Sequence, residues 1–109
     1  MSANKLATIE MLDLSQMKNN ATKAVRLLKS LANESRLMIM CVLAEGELSV
    51  GALNERIPLS QSALSQHLAL LREQGLVTTR RESQTIYYSL ADSDAMLVVE
   101  RLHDIYCAR

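Results

Sequence analysis

Apolar positions keep helical spacing along most of this chain and switch once to alternation. Leu6, Ile9 and Leu12 are intermittent and predict either a marginal helix or an unstructured lead. From Leu14 the spacing firms through Met17, Ala21, Ala24, Val25 and Leu28, which predicts a helix to about Leu31. Ala32, Asn33 and Glu34 break it, and Asn33 is placed to cap a further helix over Ser35 to Ala44. That helix contains Leu37 to Leu43, apolar all round, so it is expected at the centre of the subunit, buried on all sides and ended by Gly46. Ser49 can cap a short helix through Val50, Leu53 and Ile57. Pro58 stops it, because proline lacks an N–H and disfavours helical geometry in the residue before it. Ser60 can cap another helix in which Leu64, Leu68 and Leu71 recur on one side.

Beyond Gly75, period two takes over. Leu76 to Arg81 predicts a strand, Glu82 to Gln84 a turn, and Thr85 to Leu90 a returning strand. Asp92 or Ser93 then caps a last helix striped by Ala95, Val98 or Val99, Leu102, and Ile105 or Tyr106. No later element is left to cover that stripe. The helices over 14–31 and 92–107 are therefore expected to pair two copies about a two-fold axis.

The helix pair over 48–73 sets Ser62, Ser65 and Gln66 on one face, with the leucine stripe behind. Short hydroxyls and amides suit a helix that enters a DNA major groove, although an ordinary amphipathic hairpin shows the same pattern. The β-hairpin over 76–90 shifts the balance, since a plain helical bundle has no use for one. The expected fold is mainly α with a β-hairpin wing: a winged helix-turn-helix in a single domain over 1–109, paired as a homodimer. Arg80, Arg81, Ser83 and Gln84 around the wing tip suit phosphate or minor-groove contact, or else form a solvated tip.

Composition adjusts this picture in three places. With 3% aromatic residues and neither Trp nor Phe, the core must be built from leucine, methionine and valine. The net charge of zero hides a gradient. Residues 1–36 carry six Lys/Arg against three acids, and 91–109 carry two against four, so a local positive field survives within about 10 Å. No run reaches the roughly 18 apolar residues of a membrane span, and no secretory pattern opens the chain. A cytoplasmic location without membrane contact is expected, where Cys41 and Cys107 would be kept reduced. A glycine-rich phosphate loop, a CxxC pair and a nucleophile elbow are all missing, so no enzyme and no cofactor are expected.

Two strings, LLKSLANESRLMIMCVL and ELSVGALNERIPLSQSALSQHLALLREQGLVTTRRESQTIYYSL, resemble the ArsR/SmtB family of dimeric winged-helix repressors, over about Ala21 to Tyr106. The resemblance implies double-stranded operator DNA as partner. It implies recognition-helix contacts from Gln61, Ser62, Ser65, Gln66 and His67, beside a wing over Arg80 to Thr85. The family's arsenic-type site needs thiolates where this chain has Ser49 and Gly51, so that site is not expected. Its zinc-type site would fall on Asp92, Asp94, His103 and Tyr106, a remnant that lacks one histidine and the terminal carboxylate. Asp92 and Asp94 are equally ordinary acids at a helix start.

The two cysteines match the sulfide- and persulfide-responsive BigR/SqrR and HlyU branch, in which a thiol on the central helix and one near the C-terminus become bridged. That likeness implies a dithiol repressor that binds a palindromic operator when reduced and releases it when reactive sulfur or an oxidant bridges Cys41 and Cys107. Simple core filling is the competing explanation for Cys41. The resemblance also leaves open an anti-silencing activator of virulence genes, and a metal-responsive repressor.

Overall fold

Each of the first four helices starts on a short polar side chain. In the computed structural model, which describes residues 13–106, these helices are α1 (Leu14–Leu31), α2 (Glu34–Leu43), α3 (Val50–Arg56) and α4 (Gln61–Glu73). Asp13 accepts from the Gln16 N–H at 2.7 Å, Asn33 from Arg36 at 3.0 Å, Ser49 from Ala52 at 3.1 Å and Ser60 from Ala63 at 3.1 Å. Each bond satisfies a donor that the first helical turn leaves open. Three strands and a last helix complete the order: β1 (Leu48–Ser49) before α3, then β2 (Val77–Glu82), β3 (Thr85–Leu90) and α5 (Asp94–Tyr106). The lead segment with Leu6, Ile9 and Leu12 lies outside the described residues, as does Cys107.

Helix ends follow the same local chemistry. Ile57, just before Pro58, leaves helical geometry at φ −110 and ψ 123, so α3 stops at Arg56, one residue short of the expected Ile57. At the end of α4, Gly75 takes φ 74, its N–H bonds to the Arg72 carbonyl, and the Leu76 N–H bonds to Leu71. This is a Schellman closure, and it joins Leu71 to Leu76 in the core. Leu76 is spent on that closure, so β2 begins at Val77 and not at Leu76. The expected cap of α5 is not used in this way. The Ser93 carbonyl accepts from the Met96 N–H at 3.1 Å, while its hydroxyl is buried with no hydrogen-bond partner.

The core forms where leucine stripes meet: Ile39, Met40 and Leu43 of α2, Leu53 of α3, Leu64, Leu68 and Leu71 of α4, and Val99 of α5. Helix α2 packs on α1, α4, α5 and β3, which makes it the central helix. It is not buried on all sides. Met38 is 37% exposed, and Leu37, Cys41 and Val42 are half-buried, because the described residues do not fully cover that side. The apolar stripes of α1 and α5 are open in the same way, with Leu14 81%, Leu28 57%, Leu97 62% and Tyr106 77% exposed.

The sheet has the order β1-β3-β2, all antiparallel. The hairpin pairs Val77 with Leu90 and Glu82 with Thr85, so only Ser83 and Gln84 turn at its tip. Strand β1 was not foreseen; its two residues pair with Tyr88 and Tyr87 at the other edge of β3.

Leu64 is fully buried while Ser62, two residues earlier on α4, is exposed. Leu64→Ala is expected to lower the unfolding free energy by about 2–5 kcal/mol, and Ser62→Ala to leave it within about 0.5 kcal/mol, measured by urea denaturation.

Candidate nucleic-acid interface

Burial orients α4. Leu64, Leu68 and Leu71 are all within 1% of complete burial, which turns Gln61, Ser62, Ser65 and Gln66 outward together. The turn before α4 is held from α3, where the Asn54 amide donates to the Leu59 carbonyl at 2.9 Å. Thirteen residues make a rod of about 20 Å, enough to cross a major groove. The exposed amides can donate and accept together, as adenine's groove edge requires, and the hydroxyls adapt to either role. His67 is half-buried on the flank, a place for a phosphate donor or a packing group rather than the centre of the reading face. Ser60 is spent on its cap.

The wing divides its residues between two tasks. Arg81, Ser83 and Gln84 are exposed. Ser83 adopts φ 58, the left-handed region that glycine usually fills, so that two residues suffice to reverse the strand. Arg80 is engaged elsewhere. Its guanidinium donates to Glu47 at 2.8–3.0 Å and to Glu82 at 2.7 Å, and lies 4.4 Å from the centre of the Tyr87 ring. Glu47 first, then Glu82, hold Arg80 above its already high ordinary pKa. Glu47 and Tyr87 were missed in the sequence. Glu47 and Arg80 are 33 residues apart, and only the three-stranded sheet brings them together.

A second charged cluster joins three elements. Glu45, in the turn after α2, accepts from Arg56 of α3 at 3.2 Å and is paired with His103 of α5 at 3.1 Å. His103 is therefore turned to Glu45. Asp92 and Asp94 are exposed at the start of α5, and no three His, Cys, Asp or Glu side chains gather to hold a metal among the described residues. At the arsenic-type position Ser49 caps α3 and Gly51 lies within its first turn. Cys41 sits half-buried on α2 against the core; the structure does not describe Cys107 beside it.

The hydrogen bond with His103, and then that from Arg56, hold the Glu45 carboxyl below its ordinary value. A carboxyl lowered by folding stabilises the fold above its unfolded pKa, and that contribution is lost as the pH falls through the folded value. Glu45→Gln is therefore expected to lower Tm at about pH 7, with the difference from the parent shrinking as the pH falls through the acid range, as read in paired thermal melts.

Known proteins share this fold. The family model for bacterial regulatory proteins of the arsR family matches residues 33–79. The transcriptional activator HlyU of Vibrio cholerae is 54% identical over 96 residues, covering 88% of this chain and 89% of the relative. The structure of reduced HlyU from that organism superposes with a TM-score of 0.81 at 55% identity, covering 86% of this chain and 99% of the other. The transcriptional repressor BigR of Xylella fastidiosa gives 0.83 at 43% identity, covering 88% and 95%. On these grounds the chain belongs to the ArsR family and is a winged helix-turn-helix transcriptional regulator.

Proposed function

We propose that this regulator is a dithiol switch, binding a palindromic operator as a reduced homodimer in the cytoplasm and releasing it when Cys41 and Cys107 are bridged. The observation that carries the switch is the position of Cys41. It lies on α2, which packs against both the recognition helix α4 and the C-terminal helix α5. A bond from α2 to the segment beyond α5 would constrain the two elements whose relative position sets where α4 points. Glu45 offers a second route, since it ties the end of α2 to α5 and α3 at once. The open apolar stripes of α1 and α5 supply the surface for a second copy.

The chemistry needs only the two thiols and a sulfur or oxygen donor. One thiolate takes a sulfane sulfur and releases the donor as a thiol; the second attacks the modified sulfur, expels hydrosulfide and closes the bridge. With peroxide the first product is a sulfenic acid, and bridge closure expels water. A coupling of about 1–3 kcal/mol changes DNA affinity about 5–150-fold. A metal-responsive reading has less support, because Ser49 is a helix cap and His103 is paired with Glu45.

The direction of control has two readings, since one relative is a transcriptional activator and another a repressor. An anti-silencing activator would use the same DNA-binding head, and a promoter reporter with and without the gene separates the two by the sign of the change.

Intact-mass and peptide mass spectrometry after polysulfide treatment should show a Cys41–Cys107 bridge, with a matching fall in DNA affinity. Cys41→Ser should abolish both, and bridging with unchanged affinity would sink the switch. On the reading face, Gln66→Ala is expected to cost about 1–3 kcal/mol and relax discrimination at one base pair per half-site, as seen by binding to a panel of single-base operator variants.

A further inference from the structure

Arg80 is the first wing arginine in the chain, and its half-exposed side chain lies across its own sheet. Tyr87 of the central strand β3 lies opposite it in register, and the guanidinium sits over that ring. It then crosses β3 to Glu47, which immediately precedes the far edge strand β1. The Nε donates to both Glu47 oxygens at 3.0 and 2.9 Å, and one terminal nitrogen donates to Oε1 at 2.8 Å. The other terminal nitrogen donates to Glu82, two residues along β2 and so on the same face. All three nitrogens face carboxylates. A DNA phosphate approaching Arg80 would meet two negative charges around one positive, and would have to break a two-point charged pair.

We propose that Glu47 and Arg80 form a strap that sets the angle of the wing to the helix-turn-helix, making Arg80 a positioning residue for DNA binding while Arg81 takes the phosphate. The base of the hairpin packs on α2, α3 and α4, and its strand pairing to the helix-turn-helix side runs through β1, which offers only Leu48 and Ser49. Beyond that pairing the outer end of the hairpin, Arg81 and Glu82 against Thr85 and Ile86, is a two-stranded ribbon that can twist. Glu47 stands two residues before Ser49, the cap of α3, so the strap fastens the ribbon to the first turn of the reading unit. Arg81 points to the opposite face of β2, is exposed, and makes no ion pair among the described residues.

This inference rests on α4 and the wing meeting DNA together, and the test separates the two claims. Full-length wild type selects a duplex from a randomised pool. Affinity for the labelled duplex is then measured against salt for Glu47→Gln, Arg80→Gln, Arg80→Lys, Arg81→Gln and the Glu47→Gln/Arg80→Gln pair. A strap predicts that each single change at 47 or 80 weakens binding roughly three- to tenfold, that the double change is no worse than either, and that the salt slope holds. Arg80→Lys should be as weak as Arg80→Gln, because lysine keeps the charge and loses the fork. Arg81→Gln removes one phosphate contact from each wing of the dimer and should make the slope shallower by about 1.8. An unchanged slope there overturns the wing contact itself. The strap is overturned if Arg80→Gln makes the slope shallower, if Arg80→Lys restores binding, or if Glu47→Gln binds as well as or better than wild type.

Discussion

The structure depends on one buried seam, where the leucine face of α4 meets α2. Leu64, Leu68 and Leu71 are withdrawn from water against Ile39, Met40 and Leu43, and each such side chain contributes about 1.5–3 kcal/mol on burial. That seam settles what α4 can show. With one face committed to the core, the glutamines and serines must point out. The core therefore fixes which face α4 presents, and exposure of an amide on α4 follows from burial of a leucine one turn away.

Charge is arranged against this apolar frame in local exchanges. A neutral total leaves the chain little long-range attraction to a polyanion, so each exposed cation counts for more. Glu47 and Glu82 remove Arg80 from that account. Between 14 and 31, α1 carries Lys18, Lys23, Arg26 and Lys29 and no acid. Lys23 and Arg26 line a cleft with Gln74, at the end of α4 remote from Gln61 and Ser62. The positive charge of Lys23 and Arg26 is thus away from the outward face at the start of α4. Groove contact as proposed would rely on hydrogen-bonding shape with modest phosphate attraction.

The parts legible in the sequence are those decided within a few residues. Asn33, Ser49 and Ser60 cap the helices they precede, Pro58 ends α3, and β3 runs from Thr85 to Leu90 as its alternation suggests. Gly75 also announced itself, though the closure it makes takes Leu76 from the strand. Features that depend on distant partners stayed hidden. A two-residue strand such as β1 has no period to detect, and without it nothing links Glu47 to Arg80. Met38 and Cys41 read as core because a run of apolar residues says how much surface wants cover, not whether the same chain supplies it. The Ser93 hydroxyl shows the reverse, a capping residue whose place was taken by its own carbonyl.

The closure at Gly75 has a mechanical consequence. Leu71 and Leu76 are joined by a backbone hydrogen bond of 2.9 Å and share the core, so no hinge separates the end of α4 from the start of the wing. Helix α4 and the base of the hairpin form one stiff caliper jaw. Two such jaws set about a dyad would measure a distance as well as a sequence. A signal entering through α2 or α5 would not need to reshape either jaw; turning one against the other by a few degrees would carry both out of successive grooves, and DNA of unchanged sequence would no longer fit the gauge.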